Sequence, residues 1–223
     1  ELKELVEKHP GLVRKVAIRT RTFQGRELQA IEIAQDVERV DDGRPTFFLN
    51  GLHHAREWPA AEGIMEFAHD LVAGSGGRDA RVTNLLRDVR VVLMPITNAD
   101  GFIVSRGAPD FDPDAATDVG FLYQTLTGVV LLGGSLSYKR KNCNPVGIVA
   151  DFPELLPCEF ALGVDLNRNY AESWGGPGAS SNPNDQSFRG SGPFSEPESR
   201  AVREIFSRLN ATSMITTHNV AAL

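Results

Sequence analysis

The sequence has little positive charge for its size. Its 23 Lys and Arg residues are outnumbered by 29 Asp and Glu residues, which gives a net charge of −6. A chain that grips nucleic-acid phosphates needs an excess of positive charge, so we expect no nucleic acid among its partners. Long apolar runs are also missing: residues 91–96 form one of the longest, far short of the roughly 20 residues that cross a bilayer. We therefore expect no membrane-spanning segment.

Several signals that would divide or classify the chain are absent. There is no Gly-x-Ser-x-Gly segment, which disfavours a serine hydrolase, and no Walker phosphate-binding loop. There is no internal repeat and no change of composition along the 223 residues, which favours a single domain over residues 1–223. The first residue is Glu1 and no signal segment follows it, so we expect a processed or trimmed piece whose first residues do not indicate localisation.

Only two cysteines occur, Cys143 and Cys158, both in a segment that reads as a loop. A bridge between them would close a short loop and contribute about 3 kcal/mol of stability in the chain-entropy model. Two free buried thiols fit the count equally well, so the composition alone leaves both states open.

Helical and strand patterns alternate along the chain. Apolar spacing predicts a short helix before Pro10 and a longer one from about Pro59 to Gly74. Apolar runs predict strands over residues 13–19, 28–34, 46–50, 89–96 and 213–217, and further helices over residues 79–88 and after a capping box at residues 195–198. Residues 97–162 are interpreted as long excursions and residues 163–170 as a short strand. Strands alternating with helices predict an α/β fold.

Three polar residues are predicted to meet at one edge of the sheet. His54 and Glu57 follow the strand over residues 46–50, and His218 follows the strand over residues 213–217, which we predict to be buried. In open α/β sheets, ligands bind beyond the carboxyl ends of the strands. Two imidazoles and one carboxylate, with a fourth position open, are typical of a catalytic zinc site. The sequence therefore predicts a metal site of His54, Glu57 and His218.

Five segments around these residues, in order along the chain, resemble the motifs of the pancreatic-type zinc metallocarboxypeptidases. They are residues 51–58 (GLHHAREW), 95–102 (PITNADGF), 139–142 (KRKN), 163–170 (GVDLNRNY) and 188–198 (FRGSGPFSEPE). The resemblance extends over nearly the whole chain, which makes coincidence a poor explanation. It implies one α/β domain with a mixed, mostly parallel central sheet and helices on both faces. It also implies one Zn²⁺ ion and hydrolysis of the C-terminal peptide bond of peptides or proteins.

The same resemblance implies roles for five further residues. Asp165 would accept the second ring N–H of the first histidine ligand and so fix its tautomer. Arg140 would stabilise the oxyanion of the reacting peptide carbonyl. Asn167 and Arg168 would hold the terminal carboxylate of the substrate, and Arg56 would contact the substrate further upstream.

The sequence also departs from the family pattern. Lys139 replaces a motif tryptophan and Val220 replaces a motif tyrosine, which we expect to change the walls of the substrate pocket. In the family, the general-base glutamate and the substrate-capping tyrosine lie well beyond the third zinc ligand. We therefore expect a catalytic domain truncated after His218, which binds zinc, hydrolyses peptides negligibly by itself and exposes an apolar edge around Ile215.

Two other functions compete with a carboxypeptidase. A related zinc amidase that acts on glutamyl or cell-wall peptides would share the metal site, and a catalytically silent binding module would share the fold without the chemistry. The resemblance further implies an extracellular protein with a Cys143–Cys158 bridge, because relatives that act outside cells often carry a bridge in this loop. We expect a monomer whose partners are peptide or protein C-termini.

Overall fold

The computed structural model describes residues 1–40, 42–107, 138–146, 158 and 162–219. Five helices, one 3₁₀ helix and five strands occur in this part of the chain. In chain order they are α1 Leu2–Lys8, β1 Val13–Val16, β2 Ala30–Ile33, β3 Thr46–Gly51, α2 Trp58–Gly74, α3 Ala80–Asp88, β4 Arg90–Met94, α4 Ala99–Gly107, the 3₁₀ helix Leu166–Arg168, α5 Pro197–Arg208 and β5 Ala211–Thr217.

The strands form one sheet in the order β1-β2-β4-β3-β5. The pairs β1–β2 and β2–β4 are antiparallel, whereas β3 runs parallel to both β4 and β5. The predicted α/β fold with a mixed sheet is confirmed. Two of the four strand pairings are parallel and two are antiparallel, so the sheet is less parallel than expected. Strands β1 and β2 follow each other without a helical crossover, which only antiparallel neighbours can do.

Both faces of the sheet are covered by helices, as expected. Because side chains alternate across a strand, Val91 and Leu93 of β4 face α2 and α3, where they join one apolar cluster. Val92 and Met94 point the other way and join Val202 and other apolar residues of α5. Burial on both sides explains why β4 is an apolar run rather than an alternating one.

β5 differs from the buried strand that its sequence predicts. It pairs with β3 alone among the described residues, and Met214 and Ile215 are 38% and 53% exposed. The expected exposed apolar edge around Ile215 is therefore confirmed.

Of the helices in the described part of the chain, none combines the length and the apolarity that a membrane-spanning helix needs.

Two local predictions are wrong. Residues 163–170 do not form a strand, because the Asp165 carboxylate accepts the backbone N–H of Asn167 at 3.0 Å and turns the chain into a 3₁₀ helix. The capping box does not form either: helix α5 begins at Pro197, and the Ser195 N–H that Glu198 would cap donates to Gly192 O at 3.2 Å instead.

One helix is absent from the prediction. Helix α4, Ala99–Gly107, lies within the region interpreted as long excursions. Its first turn carries Asp100, a fully buried carboxylate that accepts hydrogen bonds from Thr22 Oγ1 at 2.7 Å, Gln24 N at 3.0 Å and Arg26 Nη1 at 2.7 Å. Polar contacts therefore anchor this helix. Most of the remaining excursion, over residues 108–137 and 147–157, lies outside the described residues.

Candidate metal centre

The turn after β3 places His54 and Glu57. The backbone reverses at Leu52, a buried residue with φ of 51°, a left-handed conformation that costs a non-glycine residue roughly 1–2 kcal/mol. Backbone N–H groups from the neighbouring β4 loop hold this turn: Thr97 N donates to Gly51 O at 3.1 Å and Asn98 N donates to Leu52 O at 3.0 Å. Glu57 then lies at the residue before α2, where its carboxylate faces the sheet edge.

His218 reaches the same edge from β5. Gly51 and Thr217 are partners in the parallel β3–β5 pair, so the residues after them emerge on the same side of the sheet. A Cβ atom on Gly51 would lie 2.6 Å from Thr217 Oγ1. The glycine therefore allows the two strand ends to approach each other closely.

The three predicted ligands converge. Glu57 Oε1 lies 2.7 Å from His54 Nδ1 and Glu57 Oε2 lies 2.8 Å from His218 Nδ1. One ligand atom from each residue lies within 4.8 Å of the other two. Burial alone would raise the pKa of Glu57, but the hydrogen bonds from the two histidines lower it to about 2. The carboxylate is therefore ionised across the neutral pH range.

Asp165 holds His54 from the opposite side. Its Oδ1 atom lies 3.1 Å from His54 Nε2, and its Oδ2 atom accepts two hydrogen bonds from Arg140, from Nε at 3.1 Å and from Nη2 at 2.8 Å. Burial lowers the pKa of His54, but the hydrogen bonds to Asp165 and Glu57 outweigh it and the pKa is raised. Burial raises the pKa of Asp165, but the hydrogen bond to His54 and the charges of His54 and Arg140 outweigh burial and lower this pKa to about 2.

The donor set fits a zinc ion. An ionised Asp165 accepts the Nε2–H of His54, so Nδ1 is the ring nitrogen that faces the Glu57 carboxylate and can bind a metal ion once its own proton is lost. A lone pair facing a carboxylate is unfavourable unless a cation or a proton lies between them. Two imidazole nitrogens and a carboxylate oxygen are the ligand types of catalytic zinc sites, and the 29% exposure of the His218 side chain leaves the group accessible from solvent.

The predicted substrate-binding residues lie in two segments, Arg56 in the turn before α2 and Asn167 and Arg168 in the 3₁₀ helix after Asp165. The Arg56 guanidinium is half-buried and donates from Nη1 to Tyr138 O at 3.3 Å. Burial, followed by the charge of Arg140, lowers the pKa of Arg56. Arg168 donates from Nε to Gly178 O at 3.0 Å and, like Asn167, is partly buried. The structure thus brings Arg140 into contact with Asp165 beside His54. Within the described part of the chain, no side-chain hydrogen bond or ion pair joins Arg56, Asn167 or Arg168 to the three converging ligands.

Lys139 does not form part of a pocket wall, contrary to the expectation from its motif position. Its side chain is fully buried, and Nζ donates to Leu162 O at 3.1 Å. Lys141, two residues later, is also fully buried and donates to Pro183 O at 2.7 Å and to Asp185 O at 3.0 Å. The flanking lysines therefore anchor the segment that carries Arg140 through hydrogen bonds to backbone carbonyls. Val220 lies outside the described residues.

Residue Asn142 connects this segment to the rest of the fold. Its Nδ2 atom donates to Glu196 Oε2 at 2.7 Å and to Glu198 Oε2 at 3.0 Å, and its Oδ1 atom accepts the Val164 N–H at 2.9 Å. The neighbouring Cys143 forms the predicted disulfide with Cys158, with Cα atoms 4.4 Å apart. A side-chain amide and a covalent bridge thus hold adjacent residues of the same segment.

Sequence reasoning missed a residue pair beside the three ligands. His53 is fully buried, and its Nε2 atom lies 2.5 Å from the hydroxyl of Tyr170. The signal was present in two motifs: His53 directly precedes the first ligand, and Tyr170 occupies the last position of GVDLNRNY, where the family motif has tryptophan. The fold prediction rests on the spacing of apolar residues, and that spacing gives no sign of this pair.

Comparisons with known proteins agree with this architecture. The family model described as "Zinc carboxypeptidase" matches residues 1–223. Mouse carboxypeptidase A2 is 28% identical over 100% of this chain, which corresponds to 43% of that protein. The inactive metallocarboxypeptidase ecm14 of Talaromyces stipitatus is 29% identical over 82% of this chain and 25% of its own length. The chain thus spans less than half of these curated relatives.

Solved structures show the same fold. Carboxypeptidase A from Helicoverpa armigera superposes with a TM-score of 0.71 at 24% identity, covering 99% of this chain and 44% of that one. At this level of identity the likeness concerns the fold alone. Taken with the family model over all 223 residues, it leads to one conclusion: the chain belongs to the zinc carboxypeptidase family.

Proposed function

We propose that the whole protein is a metallocarboxypeptidase that binds one Zn²⁺ ion through His54, Glu57 and His218 and removes the C-terminal residue of peptides or proteins. The observation that carries the proposal is the convergence of these three side chains, within 4.8 Å, at the carboxyl ends of two parallel strands. A structural role explains this group poorly, because it brings an ionised carboxylate and two imidazoles together at a solvent-accessible edge.

Zinc bound there would supply Lewis acidity toward a peptide carbonyl and toward a water molecule. The contribution of the protein residues is orientation and charge. Asp165 holds His54 in one tautomer, and Arg140 neutralises Asp165 from its other oxygen, so the carboxylate stays ionised inside the fold. Arg140 also brings a permanent positive charge beside the metal ligands, where an oxyanion would develop.

The remaining assigned residues would recognise the end of the substrate chain. Asn167 and Arg168 lie on the 3₁₀ helix that directly follows Asp165, so the segment that orients His54 would also carry the residues that hold the substrate carboxylate. A guanidinium matches a carboxylate in a bidentate geometry. Arg56, two residues before α2 and hydrogen-bonded to Tyr138 O, would contact the substrate upstream of the scissile bond.

No general base is assigned within the described residues. Glu57 and Asp165 are the carboxylates that contact the imidazoles there, and both are committed to orienting or binding. Proton transfer by a positioned base contributes typically 10²–10⁴-fold in rate. The proposal therefore concerns the whole protein rather than residues 1–223 alone.

The test combines metal analysis with substrate choice. Whole protein purified without chelators should contain one zinc per chain, the His218→Ala variant should contain none at stoichiometric level, and His69→Ala should match wild type. His69 is the control because it is an exposed histidine of α2. Full zinc occupancy in the His218→Ala variant would overturn the ligand assignment.

The substrate arm uses paired peptides. A peptide with a free C-terminal carboxylate should lose its last residue, and the same peptide with a C-terminal amide should be cleaved far more slowly, because Asn167 and Arg168 then have no carboxylate to hold. Arg168→Ala should raise KM for the peptide with the free carboxylate and reduce the difference in cleavage rate between the two peptides. Equal cleavage of both peptides would contradict an exopeptidase.

A second candidate is a catalytically silent member of the family. It is favoured by a relative named as an inactive metallocarboxypeptidase that is 29% identical to this chain. In that case the whole protein would bind one zinc ion and release no amino acid from a panel of peptides with basic, aromatic, aliphatic and acidic C-terminal residues. The two candidates share the metal result and differ in the peptide result. For the active candidate we propose an extracellular location, in line with the bridge between Cys143 and Cys158.

A further inference from the structure

The imidazole of His53 is enclosed beside the candidate metal centre. Its exposure is 0%, its Nε2 atom lies 2.5 Å from Tyr170 Oη, and its Nδ1 atom has no hydrogen-bond partner in the described part of the chain. An unsatisfied buried polar atom costs roughly 1–3 kcal/mol. Leucine would fill an apolar position here without that cost, so stability alone gives no reason for a histidine.

The ring of His53 forms a wall for His218. The ring centroids of these two residues lie 5.6 Å apart with an interplanar angle of 39°. His54 contacts His218 from another direction, with centroids 4.8 Å apart. The hydrogen bond shown for the His218 side chain goes to Glu57 Oε2. The rotation of the His218 ring is therefore limited by the rings packed against it.

One short segment holds both neighbouring histidines. Asp165, just before the 3₁₀ helix, contacts His54 Nε2 at 3.1 Å, and Tyr170, just after it, contacts His53 Nε2 at 2.5 Å. The backbone between the two histidines is held from the opposite side, where Asn98 Nδ2 donates to His53 O at 3.1 Å. The residues on either side of the 3₁₀ helix thus hold one imidazole each by a hydrogen bond.

We infer that His53 and Tyr170 are a positioning pair, which fixes the ring of His218 in the orientation that binds the metal. The inference rests on the proposed zinc site and deepens it. The Tyr170 hydroxyl keeps the His53 ring in one rotamer, and the His53 ring in turn blocks rotation of His218. His218 needs such support because its side chain is 29% exposed, whereas those of His54 and Glu57 are 4% and 8% exposed.

The test uses Tyr170→Phe, which removes the hydroxyl and keeps the aromatic ring. Groups that orient metal ligands typically change metal affinity 10- to 100-fold. Because His53 acts through packing rather than through a hydrogen bond to a ligand, we expect zinc affinity, measured by chelator competition on the whole protein, to fall about tenfold. The visible spectrum of the Co²⁺-loaded protein, which reports ligand geometry, should shift in the variant.

A second variant and a control make the test specific. His53→Leu should weaken zinc binding to a similar degree, and adding Tyr170→Phe to it should have little further effect, because the two residues act as a unit. Phe194→Leu is the control: Phe194 packs edge-on against Tyr170 with ring centroids 5.8 Å apart, and within the described residues its ring contacts are with Tyr170 and Arg203 rather than with the histidines. It should leave the Co²⁺ spectrum unchanged.

The outcomes distinguish a failure of the proposed zinc site from a failure of the positioning role. Wild-type protein that binds neither Zn²⁺ nor Co²⁺ would overturn the proposed zinc site itself. Wild-type binding together with unchanged affinity and spectrum in Tyr170→Phe would overturn only the positioning role, even where the melting temperature of the metal-free variant falls. If His53→Leu does not fold, Tyr170→Phe decides the question, because it preserves the packing of the ring.

Discussion

Replacing Glu198 with Gln should stabilise the protein at alkaline pH. Glu198 is fully buried in the first turn of α5, where Oε2 accepts a hydrogen bond from Asn142 and Oε1 has no partner among the described residues. Burial raises the pKa of this carboxyl to about 8, and the nearby carboxylates of Glu196 and Asp100 act in the same direction. The folded protein therefore keeps this proton at neutral pH.

The size of the effect follows from proton linkage. The unfolded chain loses the Glu198 proton near the ordinary value of 4.5, and the folded chain keeps it up to about 8. Between these values the folded state binds more protons, so its stability falls by about 1.4 kcal/mol per pH unit as the pH rises. The total reaches at most about 5 kcal/mol above pH 8. Glutamine does not titrate, so Glu198→Gln removes this loss.

The assay is urea unfolding of wild type and Glu198→Gln at pH 5, 7 and 8.5. The variant should gain little at pH 5 and progressively more at higher pH, and the difference between the proteins cancels the titration of all groups that they share. Glu62→Gln, on the exposed surface of α2, is the control and should show no such trend. A Glu198→Gln variant that is less stable by the same amount at every pH would refute the reasoning.

Three further predictions concern other contacts. Asp165→Asn should weaken zinc binding 10- to 100-fold in chelator competition, because the amide no longer fixes the His54 tautomer; unchanged affinity would exclude that role. Cys143 and Cys158 should resist thiol labelling until reduced, and reduction should cost about 3 kcal/mol in urea unfolding; two labelled thiols in the untreated protein would contradict the bridge. Asp100→Ala should lower the free energy of unfolding by about 3 kcal/mol, because the Thr22 hydroxyl, the Gln24 N–H and Arg26 lose their shared acceptor, and a loss below about 1 kcal/mol would contradict this role.

The predictable part of the fold is the part built on apolar periodicity. Helix α2 and strand β4 carry an apolar stripe and a continuous apolar run, and both were predicted to within a few residues. Helix α4 could not be found in this way, because its contacts with the loop around Arg26 are polar and distant in sequence. Its amphipathic pattern is weak, so tertiary hydrogen bonds rather than spacing specify it.

The candidate site divides in the same manner. His54, Glu57 and His218 were predicted to converge, because parallel strands bring their carboxyl ends to one edge, and the structure brings them together. The contact in which two Arg140 nitrogens donate to one Asp165 oxygen does not follow from the sequence, because the motifs assign the two residues separate roles. Side-chain pairing across loops depends on backbone geometry that a motif does not encode.

Asn142 has a consequence for the order of folding. Its side chain joins residues that lie 22, 54 and 56 positions away along the chain. Such distant contacts form only after the intervening loops have closed, and closing them costs entropy. We therefore expect the hydrogen bonds of Asn142 to be absent from the folding transition state. Asn142→Ala should speed unfolding while leaving the refolding rate nearly unchanged, so the segment that carries Arg140 would lock into place last.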